Sequence, residues 1–266
     1  MDKSTIIGLL LGFVAIGVGM VMKGVSIAAL INPAAILIIF LGTAAAVLIA
    51  FPMKTIKKIP ALFRILFKEE ETDQTHEVIE RFTEWADVVR KEGILSLEAH
   101  LDDIEDTFLK SGIELSIDGQ DSDYIRDVLQ EKIEAMEQRH QKGARVFTQA
   151  GTYAPTLGVL GAVIGLVAAL GHMEDTDALG ASISAAFIAT MFGIFSGYVL
   201  WHPFANKLKE KSKNEVQVKQ IMIEGILSVT NGESPMIVKD KLSSYLSPSE
   251  QVKLNENKQQ AGEDDA

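Results

Sequence analysis

The sequence predicts an all-α integral membrane protein: four transmembrane helices, a helical cytoplasmic domain inserted between helices 2 and 3, and a cytoplasmic C-terminal helical extension. Three observations carry this. The 47% of residues that are hydrophobic fall in blocks, and Ile6 to Met22, Ala34 to Phe51, Tyr153 to Leu170 and Ala181 to Leu200 each approach or reach the roughly 20 apolar residues that cross about 30 Å of hydrocarbon. Lysine and arginine crowd the ends of these blocks on one side only. The polar stretch between the second and third blocks repeats its apolar residues at helical spacing. The expected divisions are residues 1–52 for the first two spans, 53–152 for the cytoplasmic domain, 153–202 for the last two spans, 203–248 for the extension and 249–266 for a disordered tail.

The N-terminal Met1-Asp2-Lys3 is too weakly basic to open a secretory signal, and the apolar run after it is longer than a usual signal core. It is therefore expected to stay as helix 1. Gly8, Gly12, Gly17 and Gly19 would let one side of it pack tightly. Only a short link, residues 23–31, separates it from Asn32-Pro33, where proline suits the first turn of helix 2 because its missing N–H costs nothing there.

Orientation follows from the cations, which are retained on the cytoplasmic side. Lys54, Lys57, Lys58, Arg64 and Lys68 follow helix 2, Arg139, Lys142 and Arg145 precede helix 3, and Lys207, Lys209, Lys211 and Lys213 follow helix 4. Of the two short links, one holds only Lys23 and the other, HMEDTDALG, holds none. Both termini are thus expected inside the cell, and the chain in its plasma (inner) membrane as a multi-pass protein.

The cytoplasmic stretch opens with IPALFRILFK, which reads either as a helix lying along the inner headgroups or as a buried helix. From Thr75, the positions Val78, Ile79, Phe82, Trp85, Ala86 and Val89 keep helical spacing up to Gly93, a plausible stop. A second helix is expected with Leu97, Leu101, Ile104 and Phe108 as its stripe, ending near Ser111-Gly112, followed by a turn at Asp118-Gly119. The Asp121-Ser122-Asp123 run offers N-caps for a third helix that continues into helix 3. After helix 4 a charged helix runs to Asn231-Gly232, a short one covers Pro235 to Leu246, and the last residues have the polar composition of disorder.

Helix 3 lies within TQAGTYAPTLGVLGAVIGLVAALG. Gly158, Gly161 and Gly165 recur at three- and four-residue spacing, so they share a face on which another backbone could approach closely. Pro155 is expected in the first turns, where it either starts the helix or kinks it and frees a carbonyl. From spacing alone, ordinary packing glycines with a tolerated proline and the inner helix of a membrane machine both remain open.

Composition also excludes. The 36 acidic and 25 basic residues leave a net charge of −11, with the acids in the polar region and tail, which argues against a nucleic-acid partner. There is no cysteine, so no disulfide or thiol nucleophile. Phosphate-binding and nucleophile-elbow motifs are absent, and the five histidines form no metal-ligand pattern. The chain thus reads as neither an enzyme nor a metal or cofactor binder. His172 and His202 lie at opposite membrane edges, with Trp201 and Tyr198 as belt aromatics. No Asp, Glu, Lys, Arg or His occurs in any of the four apolar cores. An intramembrane charge costs about 2.5–3.5 kcal/mol on insertion scales and usually marks an ion path. The groups available at depth are the hydroxyls of Thr43, Ser182, Ser184, Thr190 and Ser196, so a partner would have to bring the carboxylate.

The segments NPAAILIIFLGT from Asn32, RKEGILSLE from Arg90, AGTYAPTLGVLGAVIGLVAALGHM from Ala150 and SAAFIATMFGIFSGYVLWHPFANKLKEKS from Ser184 together resemble the MotA family of flagellar stator subunits, in its Gram-positive form. The resemblance spans all but the tail. It implies a homo-oligomer, five subunits around two copies of MotB, whose aspartate carries a proton inward while MotB holds to the cell wall, and a push on the rotor protein FliG. It also implies residue roles. Arg90 and Glu98 match a charged pair at the rotor contact, although by themselves they read as solvated surface charges. Pro155 and Pro203 match two prolines that couple proton movement to shape change; otherwise they are helix-boundary chemistry. Thr190 matches a threonine facing the ion path, or a hydroxyl bonded back to its own helix. Sodium-driven relatives carry G-T-L-I-G where this chain has Gly161-Ala162-Val163-Ile164-Gly165, so Ala162 offers a methyl group and the implied ion is a proton. The alternatives are a sodium-driven stator, an energising subunit of the ExbB or TolQ type, which has three spans, and a stand-alone channel.

Overall fold

The computed structural model describes residues 2–69, 74–248 and 250–251, and these are helices and turns with no strand among them. The helices are α1 (Lys3–Met22), α2 (Pro33–Ala50), α3 (Met53–Ile56), α4 (Ile59–Phe67), α5 (Gln74–Glu92), α6 (Thr107–Ile117), α7 (Ser122–Leu170), α8 (Thr176–Thr230) and α9 (Pro235–Ser243). Tighter 3₁₀ turns cover Ile27–Leu30 and Ile94–Asp103. Four helices, α1, α2, α7 and α8, are long and apolar enough to span a membrane. The chain is a membrane protein built on them.

Contacts divide the chain into two compact units, one of residues 1–70 and 139–211, the other of residues 71–138 and 212–266. In the first unit the spanning helices start where polar side chains replace missing helical acceptors. Asp2 accepts from the amides of Ser4 and Thr5 to cap α1, Asn32 accepts from Ala35 to cap α2 with Pro33 in its first turn, and Asp175 caps α8. The outward surface of these helices is apolar, with Leu11, Phe13, Ile49, Val167 and Phe187 among the exposed side chains, as a lipid-facing surface requires. Helix α4 resolves an ambiguity left by its pattern. Leu66 is fully buried, Leu62 lies against Gly143, and Phe63 meets Phe147 edge-on at 5.1 Å, so its apolar face is covered by α7 and α8 of the same chain.

In the second unit α5, α6, α9 and the adjoining parts of α7 and α8 enclose one core around Phe82, Leu109, Ile113, Leu129, Ile221 and Ile226. Gly93, Gly119 and Gly232 all have positive φ and close the elements where turns were expected. The expected second cytoplasmic helix differs. Of its buried positions, Leu97 falls on the 3₁₀ segment, Ile104 in the extended link after it and Phe108 on α6, because Asp106 accepts the amides of Phe108 and Leu109 and so starts α6 afresh. Gly112 does not end it: the residue lies inside α6, where the Ile226 and Leu129 side chains fill the space a Cβ would take. The expectation that the third helix of the polar stretch continues into the third apolar block holds: α7 is one helix of 49 residues. Residue Ser249 and the tail from 252 lie outside the described residues.

Candidate functional site

The apolar stretches of α7 and α8 pack backbone on backbone. On α7 the seam is Gly151, Ala154, Gly158, Gly161 and Gly165; on α8 it is Ala186, Ala189, Gly193 and Gly197. A Cβ placed on Gly158 would come within 2.9 Å of the Gly193 Cα and 3.0 Å of the Ala189 carbonyl oxygen, and one on Gly165 within 2.9 Å of Ala186 Cβ. Side chains at these positions would drive the helices apart. In hydrocarbon, where helix association depends on close van der Waals contact, such a seam supplies the attraction. The three glycines singled out by spacing on α7 are thus on one helix-facing stripe. Their counterparts Gly193 and Gly197, one turn apart, were legible by the same spacing.

Pro155 lies well inside α7, not in its first turns, because the helix begins at Ser122 and does not restart at the membrane. Having no N–H, it withdraws the donor that the Gly151 carbonyl would otherwise receive. Its ring fits against Gly197. Pro203 also sits within a continuous helix, exposed, directly after a π-helical turn at Ser196–Trp201. The wider turn shifts the hydrogen-bond register just ahead of a residue that cannot donate, so α8 passes its proline without ending. A second π turn, Leu37–Leu41, interrupts α2 just before Thr43, whose buried hydroxyl meets no hydrogen-bond partner among the described residues. No sequence pattern announces either π turn.

Thr190 donates its hydroxyl to the Ala186 carbonyl at 3.3 Å. It also lines an apolar surface groove of about 400 Å³ with Ile16, Phe187, Met191, Ile194 and Tyr198. Ala162, half-buried, brings no polar atom. His202 lays its ring on Gly151, with ring atoms 2.8–2.9 Å from an ideal Cβ there, and 5.4 Å from the Tyr198 ring.

At the same end of this unit, Asp2 pairs with Lys207 at 2.6 Å, and Lys211 donates to the Lys68 carbonyl at 2.5 Å. The Lys207 hydrogen bond, followed by that of Ser4, holds the Asp2 carboxyl far below the usual carboxylate range against the opposing effect of burial. These contacts bring the start of α1, the end of α4 and the polar continuation of α8 to one side. The sequence contained both residues but nothing that paired them.

Arg90 lies in the last turn of α5, and Glu98 in the 3₁₀ segment beyond Gly93; both are exposed, and neither forms an ion pair among the described residues. Between them Leu97 is buried and fixes the segment to the core. The structure places this pair in the second unit and the prolines, Thr190 and Ala162 in the first. No group of His, Asp or Glu among the described residues could hold a metal ion.

Comparison with known proteins gives consistent matches. The model of the MotA/TolQ/ExbB proton channel family matches residues 100–221, and that of the motility protein A N-terminal region matches residues 6–93. The chain is 60% identical to Motility protein A of Bacillus subtilis (strain 168), over 96% of this chain and 95% of that protein. It is 32% identical to chemotaxis protein PomA of Vibrio alginolyticus, over 92% of this chain and 96% of that one. Among solved structures, the flagellar MotAB stator complex from Bacillus subtilis superposes with a TM-score of 0.90 at 60% identity, covering 95% of this chain and 99% of that one. The MotAB structure from C. jejuni gives 0.89 at 31% identity, covering 93% and 97%.

Proposed function

This chain belongs to the MotA/TolQ/ExbB proton channel family and is a flagellar motor stator subunit, and from that premise we propose how its parts divide the work. The spanning helices form a ring, five copies around two copies of a MotB-like partner, in the plasma membrane. The partner supplies the carboxylate that this chain lacks at depth, takes up a proton outside and releases it inside. Proton movement through about 150 mV makes roughly 3.5 kcal/mol available, from about 2.3 kcal/mol per charge per 100 mV. That is enough to bias two helix packings against each other.

The observation that carries this reading is the glycine-lined contact of α7 and α8 with Pro155 set against Gly197. Backbones this close can shift along each other without side chains interlocking, and each helix has an irregularity at the contact. Torque leaves through the cytoplasmic region, residues 53–152 with the extension 203–248, where exposed Arg90 and Glu98 meet the rotor protein FliG. Orientation rests on the cations flanking the spans, and the Asp2–Lys207 pair supports termini on one side. Ala162 and the self-bonded Thr190 leave few oxygens for a desolvated sodium ion, which favours a proton.

The test is purification of the chain with a one-helix, cell-wall-binding partner, followed by proton flux measurement in vesicles. Flux that requires both chains and stops when the partner's intramembrane aspartate is replaced by asparagine is expected. Flux from this chain by itself would overturn the division of labour.

A further inference from the structure

Three threonines on α7, each one turn from the next, put a polar strip on its surface. Thr148 Oγ1 donates to the Ala144 carbonyl at 3.3 Å, Thr152 Oγ1 to the Thr148 carbonyl at 3.1 Å and Thr156 Oγ1 to the Thr152 carbonyl at 3.2 Å. Four-residue spacing stacks them on one helix face. Thr152 and Thr156 are exposed and Thr148 is half-buried, so the strip faces out of the protomer and away from the glycine seam. Exposed Arg145 continues it toward the inner end, and past Thr156 the exposed residues are Val159, Leu160, Val163 and Ile164. The strip therefore begins at exposed Arg145 and stops just short of Gly158, the level at which α7 meets the backbone of Thr190.

A single threonine bonded back to its own helix needs no explanation. Three in register have a joint property. Each hydroxyl hydrogen is committed to a carbonyl, so each oxygen is left to accept hydrogen bonds, and a column of acceptors can hold a short file of water.

We propose that Thr148, Thr152 and Thr156 line the inner half of the proton path. The partner's carboxylic acid, once beside α7, gives its proton to water held on these oxygens and becomes a carboxylate; the proton passes through that water to the inner aqueous phase. The threonines accept from the water and do not ionise. This rests on the proton reading given above.

The test is the pair Thr152→Val and Thr156→Val, which keeps the β-branched shape and removes the hydroxyls, in the full chain expressed with its partner. Membrane abundance and copurification should stay at wild-type level, while proton flux and swimming speed fall several-fold. The pair Thr152→Ser and Thr156→Ser should restore most of both. Undiminished speed in the valine pair overturns the strip, and so does a serine pair as slow as the valine pair, since shape and not oxygen would then matter. Wild-type speed that follows external sodium and ignores a protonophore overturns the proton reading instead. The valine and serine pairs compared at a fixed sodium gradient would still decide whether the hydroxyls line the path.

Discussion

The ring of Pro155 on α7 occupies the space that Gly197 leaves on α8: a Cβ built on Gly197 would lie 2.7 Å from the proline Cγ, 2.9 Å from its Cδ and 2.9 Å from the Gly151 carbonyl oxygen. Both partners depart from regular helix, one as a proline in a helix interior and the other within a π turn. The two spanning helices thus share one irregular contact. The coupling proposed for Pro155 would act at this contact.

Pro155→Ala should restore the amide that α7 lacks. An interior proline disfavours helix by about 3 kcal/mol, so the variant complex should melt no lower than wild type while swimming slows. Gly197→Ala overpacks the contact, at a cost of about 1–3 kcal/mol, and should lower both. Combining them should recover part of the stability, because the ring that the new methyl meets is gone. Wild-type swimming by Pro155→Ala cells would remove the proline from the mechanism.

Arg90→Glu with Glu98→Arg should impair swimming and leave membrane abundance unchanged. Exposed charges contribute about 0–1 kcal/mol to stability, and both side chains are exposed. Immunoblots of membranes beside swarm diameters separate the two effects. Full motility with both signs reversed counts against a rotor contact here.

Swimming speed should collapse when a protonophore is added at neutral pH and stay constant when external sodium is replaced by potassium. Ala162 and Thr190 together offer one hydroxyl, itself bonded to the Ala186 carbonyl. A desolvated sodium ion needs several oxygens. Speed that tracks sodium would show that backbone carbonyls or the partner supply them.

Glu224 makes the second unit sensitive to acid. Burial works to raise its pKa, but hydrogen bonds from Arg126 and Lys241 outweigh burial and hold it below the ordinary value of 4.5. The folded-state value is the lower one, so its contribution is present above about pH 4.5 and is lost as pH falls through the depressed value. Thermal melts of the full chain should therefore drop on acidification below that point. Glu224→Gln should lower stability by about 1 kcal/mol at pH 7 and flatten the acid dependence; an unchanged pH slope would place the sensitivity elsewhere.

The apolar blocks, the flanking cations and the turn glycines belong to the sequence. Four spans, the one-sided cations and the closures at Gly93, Gly119 and Gly232 follow from local chemistry: a run of apolar residues of spanning length has few alternatives to a membrane, and a positive φ has few residues that adopt it. The run of α7 from Ser122 through Pro155 was legible in outline, because nothing between the charged EAMEQRHQK stretch and the apolar one breaks a helix. The glycine stripe on α7 was legible as a face, and its occupant was not.

The tertiary structure decided the partners. Periodicity says which residues avoid water and is silent on what covers them. That is why α4 could have faced lipid or protein until Phe63, Leu66 and Phe147 were seen together, and why Gly112 looked like a stop until Ile226 was found against it. The same holds for Asp2 and Lys207 and for Pro155 and Gly197. Each depends on two segments distant in sequence meeting at a given height, and that height is set by the packing of whole helices.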